Sequence, residues 1–185
     1  MLDDIKNNLK DHMGKAIESL KYQLTKVRTG RANASVLDGI SVDYYGTPTP
    51  IKQVGQVSTP EARLLQIQPF DKSMIAAIEK SIIAANIGLT PSNDGNLIRL
   101  PFPALTEERR KEQVKDLKKI GEDAKIAIRN ARRDQNELVK KAEKDKTISE
   151  DDSKKFQDEI QKITDDYIKQ VDKIVGDKEA EILKV

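Results

Sequence analysis

Ile128-Arg129-Asn130-Ala131-Arg132-Arg133-Asp134-Gln135-Asn136 is the segment of this chain whose residue types and spacing could do chemistry. If Ile128 and Ala131 face a helical core, then Lys125, Arg129, Arg132, Asn136 and Lys140 recur at steps of three and four along a flanking face, with Arg133 just beside it. A guanidinium is a planar fork of donors that suits phosphate oxygens and base edges. Several on one rigid helix would follow a nucleic-acid backbone while reading little of its sequence. The same spacing also describes a solvated face paired with an acidic neighbour, and the segment alone leaves both readings open. Arg rather than Lys at three neighbouring sites favours RNA or phosphate. A second basic group consists of Arg28 and Arg31, with Arg109-Arg110-Lys111 further along the chain. Arg28 near the end of a first helix would complement its dipole. Residues 109–111 sit at the opposite end of their helix, where an outside partner is the better explanation.

Other chemistries find little support. The sequence has no GxxxxGK phosphate loop, no HExxH pair and no Cys/His cluster with metal spacing. His12 is the only histidine and reads as a packed or surface residue. Asp151-Asp152 and Asp165-Asp166 fit capping and solvated faces better than paired catalytic carboxylates. No catalytic group, metal or cofactor is therefore expected.

Helices must position the basic face. Ile5, Leu9, Met13, Ala16, Leu20, Leu24 and Val27 form one amphipathic stripe, with Asp3 as its cap and Thr29-Gly30 as its stop. Val114, Leu117, Gly121, Ala124, Ile128, Ala131, Gln135, Leu138 and Ala142 form a seam of period 3.5, which predicts a left-handed bundle. From Thr106 as cap to about Lys146, this helix would be roughly 60 Å long at about 1.5 Å per residue. Ser149 caps a third helix with Phe156, Ile160, Ile163, Tyr167, Val171 and Ile174 on its apolar face. The short turn before it makes the second and third helices antiparallel neighbours.

Between Gly30 and Thr106 the pattern changes to Gly, Pro, Tyr and β-branched residues with few charges. Ile40 to Tyr45 reads as a strand, Gly46-Thr47-Pro48-Thr49-Pro50 as a turn, and Ile51 to Val57 as a strand pairing back. Arg63 to Gln68 is a further strand and Ser73 to Asn86 a helix stopped by Gly88. Leu97 to Leu100 is a last strand, ended by Pro101 and Pro103. The fold class is α+β: a discontinuous three-helix bundle from 1–30 and 105–185, with a small β/α/β domain, 31–104, inserted in it. Thr29, Gly30 and Arg31 on the outward crossing and Pro103, Ala104 and Leu105 on the return are expected to act as a hinge.

The 185 residues suffice for one or two domains, and 35% charged against 37% hydrophobic residues suit slender helices better than a large spherical core. Charge is segregated: residues 106–148 hold 14 basic against 10 acidic residues, and 149–185 hold 7 against 11. Antiparallel packing of the two helices would bring opposite fields together. With no Cys, no apolar run near 18 residues and no apolar core in MLDDIKNNLK, the reading is a cytoplasmic protein without membrane span, secretory signal or transit-like extension.

Five blocks carry a resemblance. Val27-Arg28-Thr29-Gly30-Arg31-Ala32, Asp43-Tyr44-Tyr45-Gly46-Thr47-Pro48-Thr49-Pro50, Leu105-Thr106-Glu107-Glu108-Arg109-Arg110-Lys111, Arg129-Asn130-Ala131-Arg132-Arg133-Asp134 and Ile148-Ser149-Glu150-Asp151-Asp152 resemble, in order, those of the bacterial ribosome-recycling factors. Together they span nearly the whole chain. The resemblance implies an L-shaped molecule of tRNA size that binds the ribosome after termination. With elongation factor G and its GTP hydrolysis, it would promote subunit separation and release of the messenger and deacylated tRNA. It also implies contact with large-subunit rRNA in the intersubunit region, with Arg132 foremost, Arg129 and Arg133 beside it, and Arg28 and Arg31 near the hinge; Arg110, from the basic group 109–111, is a further rRNA-binding candidate. A monomer is expected. Ala34 departs from the family, where Pro often follows the first crossing. A helical protein adaptor and a hydrolase housed in the insert are the competing classes; the insert shows no acid, base and nucleophile cluster to support the second.

Overall fold

The computed structural model describes residues 1–184. The chain forms two compact units, one of residues 1–28 with 107–184 and the other of residues 29–106.

The first unit is three helices: α1 (Leu2–Thr25), α4 (Glu107–Lys144) and α5 (Glu150–Leu183). Their directions follow from contacts. Lys118 reaches Glu179 and Lys125 reaches Asp172, so α4 and α5 run antiparallel. Lys6 Nζ meets Glu159 Oε2 at 2.9 Å, and the Tyr167 hydroxyl donates to the Lys10 carbonyl at 3.4 Å, so α1 and α5 run parallel. Leu9, Met13, Leu20, Leu117, Ile128, Val139, Ile160 and Val171 fill the core. Ser149 caps α5 as expected, its Oγ accepting from the Asp152 N–H at 3.1 Å.

Several expectations need correction at residue level. The seam of α4 holds to Gln135 and then takes Val139, fully buried, while Leu138 is 47% exposed. A strict 3.5 repeat drifts about 20° per heptad on a straight helix, and one extra step of four restores the inward face. On α1, Ile17 is buried and Ala16 only half-buried; on α5, Thr164 is buried and Ile163 half-buried. Thr164 is tolerated inside because its hydroxyl donates to the Ile160 carbonyl at 2.8 Å. Asp3 is not the cap of α1: the helix begins one residue earlier, with Met1 at the cap and Asp3 and Asp4 in the first turn, where the dipole favours them. Nor does α1 reach Thr29-Gly30. It closes at Lys26 with tight bonds from the Lys26 N–H to Gln23 and the Val27 N–H to Leu24. Gly30, at φ 79°, turns the chain four residues later.

The second unit holds two sheets. β1 (Ser41–Tyr44) and β2 (Thr47–Pro50) make a two-stranded ribbon. β3 (Gly55–Glu61), β4 (Leu64–Pro69), β5 (Ser92–Asn93) and β6 (Ile98–Pro101) make a second, antiparallel sheet in the order β3-β4-β6-β5. A single helical turn, α2 (Ile51–Val54), joins the two sheets, and α3 (Ile75–Ala84) covers the core of Leu37, Val42, Ile51, Leu65, Ile67, Ile78, Ile82, Ile98 and Leu100.

Pro48 and Pro50, expected in a turn, lie in β2, and the turn is Tyr45-Gly46 alone, both at positive φ (48° and 84°). That is the backbone of a tight I′ hairpin, whose twist matches the strands it joins. Tyr44 and Thr47 close it as a hydrogen-bonded pair, so Pro48 opposite Asp43 and Pro50 opposite Ser41 fall at alternate, non-bonded positions. Their missing N–H groups would have pointed away from β1. Ile51 to Val57 does not pair back onto β1; it splits into α2 and the start of β3, which pairs with β4. α3 ends at Ala84 with Asn86, at φ 50°, making the left-handed stop two residues before Gly88. Asp94 sits in the turn between β5 and β6: its Oδ1 accepts from the Asn96 and Leu97 N–H groups, both at 2.9 Å, and Arg99 meets its Oδ2 at 2.9 Å.

Candidate nucleic-acid interface

The basic ridge lies on α4, anchored by buried Ala124, Ile128, Ala131 and Gln135. At about 100° per residue, Lys125, Arg132 and Asn136 border this buried stripe, while Arg129, Lys140 and Arg133 lie progressively further round toward solvent. The expected single face is therefore two.

The inner edge engages α5. Lys125 pairs with Asp172, and its side chain is only 23% exposed. Arg132 Nη1 donates to Gln161 Oε1 at 3.1 Å, and Gln161 Nε2 passes the link to Asp165 Oδ1 at 2.8 Å. Asn136 is half-buried, with its Oδ1 out of solvent and without a hydrogen-bond donor among the described residues. To this extent the acidic-neighbour reading is realised, and the opposite charges of α4 and α5 meet along this edge.

Outward residues are differently placed. Arg129 Nη1 bonds Glu122 Oε1 at 2.9 Å along its own helix, with both side chains substantially exposed. Exposed pairs of this kind contribute about 0–1 kcal/mol and exchange readily for a phosphate oxygen. Arg133 and Lys140 are exposed and have no hydrogen-bond or ion-pair partner among the described residues. Both are available to an anion without breaking any contact.

The remaining basic candidates belong to other segments of the chain. Arg28 is exposed in the first unit, its backbone N–H donating to Gln113 Oε1 at 3.2 Å. Arg31 belongs to the second unit, its N–H donating to Thr29 Oγ1 at 3.3 Å. Arg110 is half-buried in the first turns of α4. Of the proposed hinge residues, Thr29 is buried and Gly30 has its left-handed φ, while Pro103, Ala104 and Leu105 lie in a stretch, 102–106, without regular structure. His12 is exposed. Among the described residues no group of three His, Cys, Asp or Glu side chains could hold a metal, and no helix is long and apolar enough to cross a membrane.

Three exposed rings of the second unit escaped sequence reasoning. Tyr44, Tyr45 and Phe70 are 38%, 77% and 75% exposed in the second unit. The signal was a Tyr before Gly46 where a tight hairpin ordinarily takes Asn or Asp.

Similarity to known proteins covers the whole length. The model of the ribosome recycling factor family matches residues 20–183. The chain is 54% identical to the ribosome-recycling factor of Staphylococcus saprophyticus and 52% identical to that of Staphylococcus aureus, over all of both chains in each case. Among solved structures it is similar to a ribosome recycling factor in solution, at 41% identity and a TM-score of 0.79, covering 100% of this chain and 98% of that one. It is also similar to the T. thermophilus factor described together with E. coli elongation factor G bound to the E. coli post-termination complex. There the identity is 40% and the TM-score 0.68, over 99% of both chains. With full-length relatives above half identity and the same arrangement of helices and sheets in solved structures, the chain belongs to the ribosome recycling factor family.

Proposed function

We propose that the chain binds the post-termination ribosome and, with elongation factor G and GTP, promotes separation of the subunits and release of messenger and deacylated tRNA. It acts in the cytoplasm, as a monomer, and supplies no catalytic group. The observation that carries this reading is the outward basic row of α4, where Arg129, Arg133 and Lys140 stand on one helix of 38 residues. A long helix packed on two others is stiff, so cations along it keep their spacing when they meet the phosphates of large-subunit rRNA in the intersubunit region. Arg132 and Lys125 join by releasing Gln161 and Asp172, and Asn136 donates through its amide. Arg28, Arg31 and Arg110 supply further contacts near the two chain crossings. Thr29, Gly30, Arg31, Pro103, Ala104 and Leu105 give way when the GTPase pushes on the inserted unit.

The test is subunit splitting from post-termination ribosomes, followed by light scattering with and without elongation factor G and GTP. Splitting should require the chain and both additions, and should fall at least tenfold with Arg132→Glu or Arg133→Glu while helix content is unchanged. Affinity for the large subunit should also drop with salt, by a log–log slope of about −0.7 to −0.9 per phosphate neutralised. No splitting with every component present would sink the proposal; unchanged binding by both variants would remove the ridge from it.

A further inference from the structure

The tip of the β1–β2 hairpin exposes two aromatic rings, Tyr44 and Tyr45. Tyr45 Oη donates to Asp71 Oδ2 at 2.9 Å, which ties the hairpin tip to the residue next to Phe70. Tyr44 and Tyr45 meet edge to face with centroids 4.8 Å apart, so the two rings set each other's orientation. Of the chain's four Tyr residues, two stand in water at this one tip.

Tyr45 is also in the wrong conformation for its type. Its φ of 48° falls in the left-handed region, where Asn and Gly are at ease and an aromatic side chain is not. A hairpin needing only to turn would do better with Asn-Gly. The exposed hydrogen bond to Asp71 is weak compensation, so the turn carries this ring at a cost to itself.

Charge around the rings has one sign at the hairpin. Asp43 is the only charged residue of Ser41–Pro50, its Oδ1 accepting from the Gly46 N–H at 2.7 Å. Asp71 is held in place by the Ser73 hydroxyl and N–H, at 2.7 and 2.9 Å, and these bonds keep its carboxyl below the usual range. Neither carboxylate has an ion-pair partner among the described residues. Lys72 is the one cation adjacent to Asp71 in sequence, and Lys52, which pairs with Asp38, borders a separate hollow that Phe70 lines.

Exposed ring faces beside fixed, uncompensated carboxylates match one side-chain group. A guanidinium stacks on a tyrosine face and gives parallel donors to a carboxylate at the same time. We propose that Tyr44 and Tyr45, with Asp43 and Asp71 beside them, form a docking surface for an arginine-bearing segment of a partner protein. Single-stranded RNA could stack on the rings, but its phosphates would face both carboxylates. The surface belongs to the second unit and the α4 ridge to the first, so its failure leaves the ribosomal reading untouched.

The full chain would be titrated with a peptide of about a dozen alternating Arg and Ser residues, with its Lys counterpart and with an oligouridylate of similar length, followed by backbone and aromatic NMR shifts. The Arg peptide should move residues 43–47 and 70–73 and bind several-fold tighter than the Lys peptide. Tyr45→Asn suits the turn and should keep or raise thermal stability while weakening Arg-peptide binding about tenfold; Tyr44→Thr, which suits a strand, should weaken it similarly. Shifts confined to the acidic α5, tighter binding of the oligouridylate at these rings, or undiminished affinity in folded Tyr45→Asn would each overturn the proposal.

Discussion

Gly121 of α4 lies directly against Val175 of α5, and Gly121→Ala tests how firmly the two helices pack there. A Cβ built on Gly121 would sit 2.8 Å from Val175 Cγ2, a separation that real Cβ atoms do not show. Two effects oppose each other. Ala in place of Gly in a helix interior is worth about 0.8–1.0 kcal/mol in its favour. Forcing a methyl into a packed contact costs about 1–3 kcal/mol, and Val175 cannot swing aside cheaply because a β-branched side chain in a helix has one preferred rotamer. The net is a loss of about 1 kcal/mol. Val175→Ala in the same background removes the obstructing methyl, so the double variant should recover the gain in helix propensity at position 121 and show a coupling energy of about 1–3 kcal/mol. Urea unfolding followed at 222 nm, where the bundle dominates, gives all four corners of the cycle. A Gly121→Ala variant more stable than the parent by about 1 kcal/mol, with no coupling to Val175, would refute the argument that this contact sets the spacing of α4 and α5.

Two further outcomes follow from polar groups. Gln135 is 4% exposed, and its Oε1 has no hydrogen-bond partner among the described residues; Gln135→Met keeps the shape and should stabilise the bundle by about 1–3 kcal/mol in urea unfolding. Asp94 is held at a pKa of about 2 by the N–H groups of Asn96 and Leu97, against an ordinary value of 3.8, with Arg99 adding to the effect. Its folded pKa is lowered, so its contribution is complete above pH 3.8 and fades as pH falls toward 2. A carboxyl NMR titration should find the low value, and Asp94→Asn should remove that part of the acid sensitivity of the second unit.

What could be read from the sequence depended on whether one periodicity governed the segment. The bundle was legible because each helix repeats its apolar residues over many turns, and errors such as Leu138 for Val139 amount to one position of drift. In the second unit the strands of the hairpin and of β3, β4 and β6 are four to seven residues long, and local residue preference pointed the wrong way. Pro48 and Pro50 read as breakers, although on an outer strand with the right alternation they cost no bond. Ile51 and Val54 read as strand residues and instead make one helical turn with both side chains buried. The basic ridge was found because Arg and Lys recur at helical spacing. How it divides between α5 and solvent depends on the rotation of α4 about its axis, and the spacing of charges does not set that angle.

The prolines of β2 also decide what the hairpin cannot do. A strand added to its outer edge would need donors from β2, and at positions 48 and 50 there are only carbonyls to offer. On the other sheet, the exposed edge strand β3 carries Pro60 and an irregular step between Ser58 and Glu61. Each of these edges is therefore a poor template for a second chain, and the small β-unit resists edge-to-edge aggregation without a covering helix at either one.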